Sequence, residues 1–418
     1  MARKVILHIG GEKTGTTTLQ KFLSYNSTEL ARRGFFYLDN PERPYFVRFG
    51  HFPIAACLLP GEVDFIEENK RDTLHEVLSS LADDIAAVQG TVVLSCEHLS
   101  SRLRYPEQLE KLRYSLGGAD IEVVCYVREI TDLALSHWST AIKNGYQRPF
   151  STSEIRPENP YFNYFHVLEL WSSVFHNVRA REYKRERLVN CDICDDFCQF
   201  VGINRNGLSA VERENEALDA GKLEALRFIN MALVAHSAPA SKDPTLPENE
   251  FDAAAELRKE FSNDPHAFSI CGGIRDILIA HMPPTQNALK LLMSNEERNT
   301  LRKQFESVNR DLSRNYIFGG LSDEWFSLSQ DNYSQGQFST NSSEQLSMLL
   351  RATVIRLAKT HVQAKSDLQS CKAQLLECEK RLKFAELVNA EVSQRCEQLI
   401  RFRGQSLTGD SDLDSRLT

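Results

Sequence analysis

The sequence has no apolar run near the roughly 18 residues that cross a bilayer, so no transmembrane segment is expected. The opening "RKVILHIGG" is basic and then apolar, but the apolar run is too short for a secretory signal and turns into glycine. There is no excess of positive charge. The formal net charge is −8, which removes any bulk electrostatic reason to expect nucleic acid. The ten cysteines lack the dense spacing of a small disulfide scaffold, so a reducing, cytoplasmic setting is the expectation. Two nucleotide signatures are also missing. No G-x-G-x-x-G follows a strand, and no lysine follows the second glycine of a G-x-x-x-x-G turn, as a Walker A loop requires.

What is present is a chain of 418 residues, 42% hydrophobic and 25% charged, enough for one large domain or two ordinary ones. Short apolar runs at Val5–Ile9, Thr91–Cys96 and Ile121–Val127 read as buried parallel strands. A further strand is expected over Val178–Tyr183. Helical patterns fall between them, over Thr16–Leu30, Thr131–Asn144 and Cys191–Val201, and dominate from Ala210 to Ile317. Strands alternating with helices argue for an α/β fold, a P-loop-like parallel sheet flanked by helices.

The chemistry starts in "HIGGEKTGTTTLQKFL", His8 to Leu23. A strand, a glycine turn and a helix N-terminus aim backbone N–H groups and the helix dipole at an anion. Gly10 and Gly15 have P-loop spacing, but Thr16 follows Gly15 and Lys13 sits inside the turn. Thr16, Thr17 and Thr18 add hydroxyls to the N–H donors. The second stretch is "CYVREITDLALSHWS". Arg128 ends a strand, where open α/β sheets bind ligands. Ser136 lies eight residues later, about two turns into the next helix. A plain strand-to-helix turn and a structural ion pair are the bland alternatives.

Together, Lys13-Thr14-Gly15-Thr16-Thr17 and Arg128…Ser136 resemble the sulfotransferases that use 3′-phosphoadenosine-5′-phosphosulfate. The resemblance covers roughly residues 1–326 and extends to "VRAREYKRERL…DDFCQFVGI" and "FESVNRDLSRNYI". It implies that residues 13–18 hold the 5′-phosphosulfate, that Lys13 steadies the leaving phosphate without a metal, and that Arg128 and Ser136 hold the 3′-phosphate. It implies an acceptor hydroxyl on a carbohydrate or glycolipid. For the base that takes the acceptor proton, three residues compete. Glu97 and His98 follow the second apolar run, Thr91–Cys96, and adjacent strand residues point to opposite faces, so one of them is expected in the cleft. His51, in "RFGHFPIA", is the third. Rival readings are a P-loop kinase or NTPase, with Glu97 imitating a Mg²⁺ ligand, and a non-catalytic oligomeric scaffold. Cys191, Cys194 and Cys198 lack a second ligand pair at zinc spacing, so no metal site is expected.

Residues 327–345 are rich in Ser, Gln and Asn and read as a linker. From Leu350 to Leu399, apolar or small residues recur in alternating steps of four and three, with His361 and Asn389 at polar a positions. That seam predicts a coiled coil over 346–403 and a homodimer, followed by a disordered tail over 404–418.

Overall fold

Val5, Ile6, Leu7, Val92, Val93, Leu94 and Val123 to Val127 are all buried. Continuous apolar burial of this kind belongs to strands covered on both faces. In the computed structural model, three such strands, β1 (Lys4–His8), β3 (Thr91–Ser95) and β4 (Asp120–Val127), form the centre of one parallel sheet, flanked by the less buried β2 (Phe35–Tyr37) and β5 (Asn177–Glu182). Their order is β2-β3-β1-β4-β5. The structure describes residues 4–211 apart from 62, 64 and 67; residues 218–230 apart from 225, 228 and 229; residues 289–327; and residues 366–395 apart from 384, 385, 387–389 and 391.

The helices are α1 (Thr16–Tyr25), α2 (Ser27–Arg32), α3 (Phe52–Ala56), α4 (Glu68–Arg71), α5 (Val77–Ala87), α6 (His98–Arg102), α7 (Pro106–Ser115), α8 (Ile130–Lys143), α9 (Tyr164–Ser172), α10 (Ile193–Val201) and α11 (Asn295–Tyr316). Local chemistry sets their ends. The Glu129 carboxylate accepts from the N–H groups of Thr131 and Asp132 and starts α8. Asp192 does the same for α10, which stops at left-handed Gly202. Ser294 and Glu297 form a capping box on α11.

The helix expected over Thr16–Leu30 is two helices. Asn26 turns its Nδ2 back onto the Phe22 carbonyl at 2.8 Å and exchanges bonds with the Ser209 backbone. Its amide competes with the helical ladder, and the chain bends there. The sequence reading also passed over β2, a strand of three residues. Of the helical stretch expected over Ala210–Ile317, residues 210–211, residues 218–230 apart from 225, 228 and 229, and residues 289–317 with α11 are described; the remainder lies outside the described residues.

Buried carboxylates tie the outer elements to the sheet. Glu122 of β4 meets Lys4 of β1 at 2.7 Å and also Arg179 of β5. Glu129 meets Arg302 of α11 at 3.2 Å. Asp196 of α10 accepts from the Tyr126 hydroxyl at 2.7 Å and faces Arg181 of β5 at 3.1 Å. Glu182, ending β5, accepts from Ser322 N and Oγ at 2.9 and 2.6 Å and from Trp325 Nε1 at 2.9 Å. Trp325 is thereby locked into the core.

Residues 366–383 are helical and every side chain there is exposed. Leu368, Cys371, Leu375, Cys378 and Leu382 of the expected seam lie on this helix. The rest of that seam, including His361 and Asn389, and the expected linker and tail fall outside the described residues, apart from Ser327, from residues 386 and 390, and from the helical stretch 392–395.

Glu182→Ala should strand the buried Trp325 Nε1 and the two part-buried Ser322 donors at once and lower stability by about 3 kcal/mol. Urea unfolding of the two proteins measures this. A change under about 1 kcal/mol would show that the 317–327 segment is held by packing alone.

Candidate functional site

The hydrogen-bond ladder of β1 runs on past the strand. Ile9 N–H bonds the Val124 carbonyl at 3.0 Å, Gly11 N–H bonds the Tyr126 carbonyl at 3.0 Å, and Tyr126 N–H returns to the Gly10 carbonyl at 2.7 Å. The glycine turn is therefore strapped to β4. Gly10 has φ +90°, and a Cβ there would lie 2.7 Å from the Glu97 Cα, which only glycine avoids. The Thr14 hydroxyl closes the turn on the Gly11 carbonyl at 2.6 Å. Gly15 precedes α1 in the left-handed region, with no side-chain cap and no acid in the first turn. The positive end of α1 is thus left to face a ligand.

A cleft of about 630 Å³ opens there, at the carboxyl ends of the strands. It is lined by Glu12, Lys13, Gly15, Thr16, Thr17, Thr18, Glu97, His98, Arg128 and Ser136. Ser136 is joined by Ser139, Thr140 and Lys143, a spacing of three, four and seven that sets them on one face of α8. Tyr183 and Arg185, following β5, complete the wall. A larger groove, of about 1260 Å³, lies at the opposite end of the sheet between α5, α7 and the starts of β4 and β5. It collects none of the strand-end loops, so the smaller cleft is the site.

Lys13 is held at φ +66°. Burial, aided by Arg128, lowers its pKa, while Glu12 and Glu97 act to raise it. The Arg128 guanidinium donates to the Lys13 carbonyl at 2.9 Å and lies 6.0 Å from the Tyr183 ring. The same tyrosine covers Gly15. Thr16 Oγ1 donates to Glu97 at 3.2 Å and Gln20 Nε2 at 2.7 Å, so both carboxylate oxygens of Glu97 brace α1.

The sequence expectations divide here. All the residues predicted to bind phosphates line this one cleft except Thr14, whose side chain is buried within the turn. Glu97 and His98 both reach the cleft, contrary to the expectation of one. The strand ends at Ser95 and Glu97 already caps α6, so strand alternation does not apply. His51 is elsewhere. It is fully buried among Tyr37, Tyr45 and Phe46. Its Nδ1 accepts from Ser95 N–H at 3.1 Å, and its Nε2 donates to the Leu38 carbonyl at 3.1 Å. Both nitrogens are committed to backbone, which makes it a packing histidine joining the loop before α3 to β3.

Glu12, Tyr183, Arg185 and Lys143 were not singled out from sequence. An acid directly before the loop lysine was the available signal for Glu12. Tyr183 and Arg185 follow a strand end, the position already used to pick Arg128.

Among the described residues, no group of three or more His, Cys, Asp or Glu side chains is placed to hold a metal ion. Cys194 and Cys198 are buried in α10, and Cys191 opens onto the cleft. No described helix is long and apolar enough to cross a membrane. No protein-family model and no curated protein matches this sequence.

Burial depresses His51 to about 4 and His8 to about 3. The unfolded chain takes up these protons near pH 6.5, so below that pH the unfolded state binds more protons. Their contribution is intact above pH 6.5 and is lost on acidification toward pH 4, with each slope approaching about 1.4 kcal/mol per pH unit. Urea midpoints at pH 7 and pH 5 should differ accordingly. Equal midpoints would mean that these rings are protonated in the folded protein.

Proposed function

We propose that this protein is a sulfotransferase, moving a sulfuryl group from 3′-phosphoadenosine-5′-phosphosulfate to a hydroxyl of a carbohydrate or glycolipid. The observation that carries the reading is the meeting of the Lys13 loop with Arg128 and Ser136 in one cleft. The first turn of α1 and its three threonines offer N–H and O–H donors to the 5′-phosphosulfate. Lys13, partly desolvated, stands where the bridging oxygen gains charge as the sulfur–oxygen bond breaks. Arg128 and the polar face of α8 take the 3′-phosphate, remote from the reaction, where their contacts act mainly on binding. Arg185 and Lys143 add positive charge on that side. Phe65 packs on the His98 ring and the Tyr161 hydroxyl bonds Glu12, so aromatic rings of the kind that suit the apolar face of a sugar lie next to two residues of the cleft wall.

One contact favours a second reading. The Thr16 hydroxyl paired with Glu97 resembles the hydroxyl and acid that hold Mg²⁺ in nucleoside triphosphatases. Titration calorimetry separates the two: adenosine 3′,5′-bisphosphate should bind without Mg²⁺, and ATP·Mg²⁺ should bind far more weakly.

The exposed apolar row on residues 366–383 supports a parallel homodimer through the C-terminal helix. Leu368, Leu375 and Leu382 are 56%, 62% and 64% exposed, more apolar surface than a lone helix leaves in water. No part of this chain covers it among the described residues.

Three outcomes follow. Lys13→Ala should slow sulfate release from saturating donor by on the order of 10²–10³, whereas Arg128→Ala should mainly raise donor KM. A preserved kcat in the first, or a collapsed kcat at constant KM in the second, would overturn these roles. The chain truncated after Gln330 should sediment as a monomer and still bind adenosine 3′,5′-bisphosphate. A full-length chain that is already monomeric at micromolar concentration would rule out the dimer.

A further inference from the structure

The cleft holds a second ionisable pair that the phosphate-binding roles do not use. Glu12 lies in the loop directly before Lys13. Its Oε2 accepts from the Tyr161 hydroxyl at 3.0 Å. Its Oε1 faces His98 Nδ1 at 3.4 Å. Both of these facing atoms are buried, and neither makes a hydrogen bond in this structure, so each is the nearest polar partner offered to the other at ion-pair distance. The His98 ring is gripped by Phe65 at 4.2 Å and Phe52 at 5.4 Å between centroids. With Nδ1 turned to Glu12 and the ring held by two aromatics, Nε2 is the nitrogen left for the cleft that His98 lines.

Glu12 is ionised across the working pH range. Burial pushes its pKa up, but His98, Ser101 and Tyr161 outweigh it and hold the carboxyl down at about 2. A fixed carboxylate at one imidazole nitrogen selects the tautomer that leaves the other nitrogen bare. The alternative acid in the cleft is differently engaged: Glu97 spends both oxygens on Thr16 and Gln20.

We propose that Glu12 and His98 form a dyad, in which His98 Nε2 is the general base and Glu12 is the residue that positions it. The kinetic half of this proposal rests on the sulfotransferase reading. The attacking hydroxyl forms the new oxygen–sulfur bond while its proton passes to His98 Nε2. The old bond from sulfur to the bridging oxygen breaks, and its electron pair leaves on the 5′-phosphate beside Lys13. The products are the sulfate ester and adenosine 3′,5′-bisphosphate. Adjacent residues of one loop thus serve both ends of the transfer: Lys13 the leaving group, Glu12 the base. The 3.4 Å separation suits this, since such contacts commonly tighten only in the reacting complex.

Two measurements on the full chain test the dyad. The first needs no activity. Histidine side-chain ¹⁵N spectra at pH 8, with His98 assigned by its loss in His98→Ala, should show an Nδ1-bound proton and a bare Nε2. Glu12→Gln should disturb that pattern. A proton on Nε2 in the wild type overturns the proposal. The second is a double-mutant cycle on sulfate release from 3′-phosphoadenosine-5′-phosphosulfate, with water as acceptor. Glu12→Gln and His98→Ala should each lower kcat by roughly 10²-fold or more, with affinity for adenosine 3′,5′-bisphosphate unchanged. In the His98→Ala background, Glu12→Gln should change kcat by less than about threefold, because its effect runs through the imidazole. Additive losses, or a loss of bisphosphate affinity that matches the loss of rate, would make Glu12 a loop-folding residue and sink the dyad. A wild type that keeps the Nδ1-bound proton but neither binds the bisphosphate nor turns over the donor would count against the sulfotransferase reading alone.

Discussion

The site depends on a parallel ladder that does not stop where its strand stops. β1 pairs with β4 from Lys4 to His8, and the same alternation of N–H and carbonyl continues through Ile9, Gly10 and Gly11. Backbone bonds, which a side-chain substitution does not remove, therefore fix the glycine turn against the strand that ends in Arg128. Arg128 then reaches back to the Lys13 carbonyl. The distance between the Lys13 loop and Arg128 is set by this frame, so the two polar ends of the cleft are held apart by rigid elements rather than by side-chain contacts alone.

Charge is distributed in two layers. Around the sheet, Glu122, Glu129, Glu182 and Asp196 are buried, and each faces an arginine. Those arginines are spent on structure. Among the described residues that line the cleft, Lys13, Arg128, Lys143 and Arg185 are the lysines and arginines, and Glu12 and Glu97 are the acids. A chain of net charge −8 thus carries a locally positive hollow, and a hollow walled by protein concentrates its field more than a flat surface does. Net charge says little about the lining of one cleft, because the four buried acids around the sheet are paired away from it.

Much of this was legible in advance, for identifiable reasons. The strands β1, β3 and β4 are buried on both faces, so they show as unbroken apolar runs, and the residues at their ends could be read off as ligand positions. β2 is too short to form a run. His51 was misjudged because a lone histidine in sequence carries no sign of its neighbours. Only the fold reveals that Ser95 and Leu38 occupy both ring nitrogens. Glu97 and His98 were read with strand alternation, although the strand had already ended at Ser95. Glu12 was overlooked because its partners, His98 and Tyr161, are remote in the chain and meet it only through the sheet order.

The position of β1 in that order has a consequence for how the protein is made. The strand bearing the glycine turn is the first of the five to be synthesised, yet it lies in the middle of the sheet. Its partners begin at Thr91 and Asp120. A nascent chain of a hundred residues holds the whole turn and only one of the two strands that pin it. The turn gains its strap only when Tyr126 has emerged, and Tyr183 arrives later still to cover Gly15. Such long-range pairing is slow, and it leaves an apolar strand uncovered while the ribosome works. Truncated translation products of this chain are accordingly expected to be sticky and to lack the cleft, however complete their opening motif.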